Sequence, residues 1–207
     1  MPVEVFFAVL LAAALHAGWN ALVKINAEPI IAMGLIMACT SFVALFFLPF
    51  IPVPPTTMWP WLMLTLVLHF GYKVFLVKAY VYGDLGQVYP IARGISPLLL
   101  GFITVFWIGE ELTLQVMSAI GLISLGIFSL MFPGKMSIKY TFRPIIYALA
   151  TGCFIAAYTL ADGVGVRASG NAASYVLWLM ALECLPLLGI TLILRKRAVF
   201  SSIHKIN

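Results

Sequence analysis

Seven unbroken apolar runs, each near the length a helix needs to cross a bilayer, constrain this chain more than any other feature of its sequence. A membrane-spanning helix takes about 20 predominantly apolar residues. The runs are Glu4 to Val23, Ile30 to Phe50, Trp59 to Tyr82, Gln87 to Ile108, Leu114 to Phe132, Pro144 to Ala161 and Ala172 to Leu194. They are continuous, without the two-residue alternation of a transmembrane barrel strand, so helices are expected. The breakers fall in short connectors: Pro52, Pro54 and Pro55, then Gly83 and Gly86, Gly109-Glu110-Glu111, and Pro133-Gly134. Asp162, Gly163, Gly165 and Gly170 mark the sixth connector. The expected fold is all-α: a polytopic membrane bundle of seven transmembrane helices.

Composition excludes a water-soluble domain. Apolar residues make up 63% of the 207 and charged residues 9%, where soluble domains carry about a quarter of their residues as charges. The net charge of +5 is spread over single Lys and Arg residues beside the runs and forms no basic face. It therefore suggests the lipid bilayer as partner, and no nucleic acid. Eleven of the 12 Lys and Arg fall in the connectors after odd-numbered runs or on the helix ends that flank them, and Arg167 alone falls on the other side. Positive-inside bias then puts the N-terminus outside and the C-terminal tail in the cytoplasm. Cys39, Cys153 and Cys184 lie within apolar runs, form no Cys-x-x-Cys, and read as small packing residues. Glu4 is the only charge ahead of the first run, whereas a secretory leader needs a basic one, so that run reads as a helix of the mature protein.

A shift of 139 residues lays Ala17-Gly18-Trp19 over Ala156-Ala157-Tyr158, late in a first span in both cases. This weak match suggests a repeat. Residues 1–134 form a five-helix unit, 143–194 the first two helices of a second unit, and 195–207 a short basic tail. An odd number of spans per unit inverts the second copy, as in inverted-repeat carriers. Two full units would hold ten helices, against seven runs here. Either the chain is a piece of a longer carrier without activity of its own, or it completes itself as a homodimer.

Ionisable groups inside a bilayer cost about 2.5 to 3.5 kcal/mol on insertion scales, so each calls for a reason. His16, Trp19, Asn20 and Lys24 recur at helical spacing on one face of the first span. The third span carries His69, Tyr72, Lys73 and Tyr80, the fourth Tyr89, Arg93 and Ser96-Pro97, and the seventh Glu183. At 1.5 Å per residue, His16, Lys73 and Arg93 lie roughly 10 to 13 Å, and Glu183 roughly 18 Å, from the cytoplasmic ends of their helices. That depth approaches the midplane, where alternating-access carriers bind their substrates. Bland readings stand beside these. Lys73 reaches the headgroups by snorkelling, His16 bonds a neighbouring helix, and Glu183 neutralises Arg93 or Lys73 as a structural pair. Asp162 reads as a solvated residue at the outer end of its helix, and Trp59, Trp61 and Tyr140 as interfacial belt residues. Ser118, Gly121, Ser124 and Gly126 are small enough to let the fifth helix pack closely.

Three stretches carry a family resemblance: His16-Ala17-Gly18-Trp19-Asn20, Gly83-Asp84-Leu85-Gly86-Gln87-Val88-Tyr89-Pro90-Ile91-Ala92-Arg93-Gly94, and Tyr158-Thr159-Leu160-Ala161-Asp162-Gly163. Together they resemble the EamA-like branch of the drug/metabolite transporter superfamily, the middle stretch being the most specific. The resemblance implies a secondary carrier of small metabolites built from two inverted repeats in a bacterial inner membrane, without a cofactor. It extends to members linked to phosphonate utilisation, and an anionic organophosphorus compound or amino acid would suit Arg93 and Lys73. On this reading the substrate-binding candidates are Arg93, Lys73, Trp19, Tyr89, His16, Asn20, His69, Tyr72 and Tyr158, with His16 and Glu183 as proton-coupling candidates. An enzyme is not expected, because the chain holds no His-Glu-x-x-His, no aspartate-rich metal motif and no serine-histidine pair at catalytic spacing.

Overall fold

The structure is a computed structural model, and it describes residues 3–26, 28–109, 111–129 and 142–186. Among these, seven α-helices and no strand are present: α1 (Val3–Ile25), α2 (Pro29–Phe47), α3 (Trp59–Tyr82), α4 (Leu85–Ile103), α5 (Leu114–Ser129), α6 (Phe142–Ser169) and α7 (Ala172–Leu182). Five helical segments are long and apolar enough to cross a membrane: α1, α2 with its short 3-10 extension, α3 with its own, α4, and α6. The described parts of α5 and α7 are shorter. The ends of the expected fifth and seventh runs, the Pro133-Gly134 connector, Tyr140 and the 195–207 tail lie outside the described residues.

Most boundaries fall where the breakers predict. Pro52, Pro54 and Pro55 separate α2 from α3, and Gly83-Asp84 separate α3 from α4. The sixth connector is a correction. Asp162, Gly163 and Gly165 do not interrupt the chain, since α6 runs through all three to Ser169 and stops only at Gly170. There φ reaches +67°, a left-handed conformation that suits a residue without Cβ. Gly165 is a packing position: a Cβ on it would lie 2.7 Å from Tyr175 Cζ, so glycine lets α7 approach α6.

α4 carries two internal prolines, Pro90 and Pro97, and ends in a π-helical turn, Thr104–Ile108, closed by Gly109 at φ +75°. Proline has no N–H to donate, so Pro97 leaves the Arg93 carbonyl without its usual intrahelical partner. Ser124 of α5 donates to the Gly94 carbonyl at 3.2 Å.

The helices form two compact units. The first comprises Met1–Met33 and Gly71–Leu160. In it α4 and α6 meet at Gly152, where a Cβ would lie 2.9 Å from the Ala92 carbonyl oxygen. Phe75 stacks on Phe154, with ring centroids 5.4 Å apart. Close packing of α5 is seen at Ser124, which is buried, but not at the other small residues. Ser118 and Gly126 are exposed, and neither Gly121 nor Gly126 has a described atom within 4 Å of where its Cβ would be.

The second unit comprises Gly34–Phe70 and the described residues from Ala161 onward. Its core is a helix-period stripe, Met58, Leu62 and Leu66, packed on Tyr175 and Leu179 of α7. Val166 of α6, Leu182, and the Trp59 and Trp178 rings complete it. Those two indoles meet edge to face with centroids 5.2 Å apart, so Trp59 packs inward at the start of α3. Ser41 of α2 donates to the Met180 carbonyl at 2.6 Å, tying α2 to α7.

Candidate functional site

α1 is nearly all apolar, and the face that packs inward carries its polar stripe together with Val23. Asn20 and Val23 are its two buried residues, flanked by half-buried His16, Trp19 and Lys24. Thus the face selected by spacing is the one α1 presents to the first unit. Each polar group on it finds a partner. The Asn20 amide donates to the His16 carbonyl at 2.7 Å, and its Oδ1 accepts from the Tyr80 hydroxyl at 2.6 Å. Lys24 donates to the carbonyl oxygens of Tyr80 and Gly83, both at 2.7 Å. A cation is well placed there, because the last carbonyls of α3 lack intrahelical donors and sit at the negative end of the helix dipole.

Arg93 of α4 reaches His16, its Nη2 meeting His16 Nε2, while the guanidinium lies over the Tyr89 ring at 5.5 Å. Tyr89 precedes Arg93 by one helical turn, the spacing that brings two side chains together. On the other edge of the imidazole, Trp19 Nε1 lies 3.2 Å from His16 Nδ1. Both ring nitrogens therefore face groups that can only donate, and a neutral imidazole has one lone pair to accept with. The cluster is rich in donors and poor in acceptors.

A pocket of about 530 Å³ opens beside this cluster, lined by Val9, Ala12, Ala13, His16, Tyr89, Pro90 and Arg93. No carboxylate lines it, and Arg93 has no carboxylate partner among the described residues. A second cavity, about 290 Å³ against α4 and α5, is lined by apolar residues without a charge. Chemically, the first pocket pairs an apolar wall with a delocalised cation whose planar fork of N–H donors fits a carboxylate or phosphonate.

The remaining candidates fall elsewhere. In the first unit Tyr72 is buried and meets Tyr158 edge to face at 5.6 Å. The ammonium nitrogen of Lys73 is buried, so this side chain does not extend outward in the manner expected of a snorkelling lysine. In the second unit His69 lies between two carboxylates, with Nδ1 2.5 Å from Glu183 Oε1 and Nε2 3.5 Å from Asp162 Oδ2. Asp162 corrects the expectation of a solvated helix end. It sits seven residues inside α6, and its Oδ1 is 2.8 Å from the Tyr175 hydroxyl.

No protein-family model, no curated protein and no solved structure matches this chain. The functional reading rests on the residues themselves. The Lys24 cap and the Tyr175–Asp162 contact were not legible beforehand, because each pairs residues that are distant in sequence.

Proposed function

We propose that this chain is a polytopic membrane protein that carries a small anionic solute by alternating access, in the manner of the EamA-like transporters it resembles. The observation that carries this reading is the Arg93 pocket. A guanidinium with no carboxylate partner among the described residues stands beside His16 and Tyr89, in a cavity of about 530 Å³ otherwise lined by apolar residues. A fixed cation attracts an anion, and a cavity this size holds a small metabolite. The solute class is an organophosphonate or a carboxylate-bearing compound such as an amino acid. Lys73 of α3, whose ammonium nitrogen is buried, adds positive charge to the same unit.

The full reading is a seven-helix bundle with 1–134 as one repeat and 143–194 as part of an inverted second one. Its N-terminus is outside and its C-terminus on the cytoplasmic side of a bacterial inner membrane. Purified protein in proteoliposomes is to be screened with radiolabelled organophosphonates and amino acids under an imposed proton gradient. The expected result is saturable uptake whose apparent affinity falls about 10- to 100-fold in Arg93→Ala, the worth of a charge-assisted hydrogen-bonded pair. Arg93→Lys should recover part of it, since it restores the charge without the fork. Normal uptake by an Arg93→Ala protein that inserts to the same level would sink the assignment.

A further inference from the structure

Three titratable groups of the second unit meet, His69 and Asp162 from within their helices and Glu183 from the C-cap of α7, and the Arg93 pocket uses none of them. Counting along the helices at 1.5 Å per residue, His69 lies roughly 20 Å from Thr56, Asp162 roughly 10 Å from Ser169 and Glu183 roughly 16 Å from Ala172. These three helix ends lie together, since Thr57 Oγ1 is 3.4 Å from the Ala168 carbonyl and Ser174 Oγ is 3.1 Å from that of Pro52. In a hydrocarbon core about 30 Å thick, the cluster therefore sits near mid-depth.

A neutral His69 cannot present an N–H to both of the carboxylates it faces. Both imidazole nitrogens of His69 face carboxylate oxygens, yet a neutral ring carries one N–H. With both carboxylates ionised, the bare ring nitrogen would point a lone pair at an anionic oxygen. One more proton resolves this, as an imidazolium between two carboxylates or as a neutral ring flanked by one carboxylic acid. Tyr175 fixes the far side of the cluster. Its hydroxyl is 2.8 Å from Asp162 Oδ1 and 3.1 Å from Thr65 Oγ1, and Tyr175 and Thr65 are fully buried. A hydroxyl has one proton to give, and the shorter of its two contacts gives it to Asp162.

We propose that His69, Asp162 and Glu183 form a proton-binding site that loads and releases one proton per carrier cycle, with Tyr175 as the residue that positions Asp162. Its coupling to solute movement rests on the carrier reading above; the binding of the proton does not. The charged and titratable groups around it are named readily. On α3, Lys73 follows His69 by one turn. On α6, the Arg167 guanidinium folds back to 3.8 Å from the Cβ position of Gly163, next to Asp162. The α7 segment supplies Tyr175, Glu183 and Cys184.

The test is a pH titration of the full chain in lipid nanodiscs with 15N-labelled histidine. The protein has three histidines, and the His69 signals are those lost in His69→Gln. The expected result is that Glu183→Gln and Asp162→Asn each displace the His69 midpoint by about one pH unit or more. Tyr175→Phe, which keeps the ring and removes only the hydroxyl, is expected to displace it by less but measurably. A His69 midpoint that stays put in all three variants, or a ring held in one protonation state across the whole range, would overturn the proposal. In proteoliposomes, solute-dependent proton movement should vanish in His69→Gln and Glu183→Gln. Proton movement at the wild-type rate in both variants would equally overturn it. Coupled His69 titration in a protein that moves no solute would instead overturn the carrier reading and leave the proton site standing.

Discussion

Arg93 and Lys24 show how residues of one charge type take different work from their surroundings. Lys24 meets two backbone carbonyls at the end of α3, so its charge is spent on a helix terminus. Arg93 meets an imidazole and the face of a phenol ring, neither of which neutralises it. Replacing Lys24 by Met should lower stability by about 1 kcal/mol, read as an earlier thermal unfolding midpoint in detergent, while leaving solute affinity unchanged. Removing the Tyr80 hydroxyl that Asn20 accepts from should cost about 0.6 kcal/mol and not more than about 1.7, the range for polar contacts between membrane helices. A Tyr80→Phe protein that loses solute binding without losing stability would move Asn20 from the scaffold to the binding surface. The polar stripe of α1 was legible from its three- and four-residue spacing, since helix geometry alone places those residues on one face. Which member binds solute and which holds the scaffold depends on partners contributed by α3 and α4, about which α1 carries no information.

At the scale of elements, close helix approach rests on two glycines of α6. Gly152 lies against the α4 backbone at Ala92, and Gly165 against the ring of Tyr175. Alanine at either position forces atoms into occupied space, and an overpacked contact costs about 1 to 3 kcal/mol. Gly165→Ala is the more informative variant. Tyr175 is buried and held by Asp162 and Thr65, so its ring cannot simply swing away. Besides an unfolding midpoint lowered by that amount, a displaced His69 titration is expected, because moving Tyr175 moves Asp162. Gly121→Ala, where no described atom is close, serves as the control and should be neutral or slightly stabilising through helix propensity. From sequence, Gly163 and Gly165 look like connector residues, since glycine is the commonest local punctuation. They are helical because α6 gains contacts with α7 that a free loop would lack, and membrane helices tolerate glycine where it brings two backbones together.

For the molecule as a whole, the distribution of Lys and Arg predicts orientation. A cytoplasm-active reporter fused after Asn207 should be active and one fused before Met1 inactive. The reverse pattern would place the Arg93 pocket and the His69 cluster at inverted depths relative to the two compartments. The all-helical architecture, and most of the boundaries of the five long apolar helices among the described residues, were legible in the sequence alone. The reason is local: without water to bond to, a backbone in hydrocarbon must satisfy itself within each segment, so length and hydropathy suffice. The partners of the polar side chains were decided only by tertiary structure. Glu183 meets His69, 114 residues earlier in the chain, and Asp162 joins them although it reads as a solvated helix end. Hydrophobic patterning shows which residues must avoid lipid, but a polar group buried among helices can be satisfied by many donors or acceptors. Packing at positions such as Gly165 selects among them, through shapes that no periodicity in the sequence records.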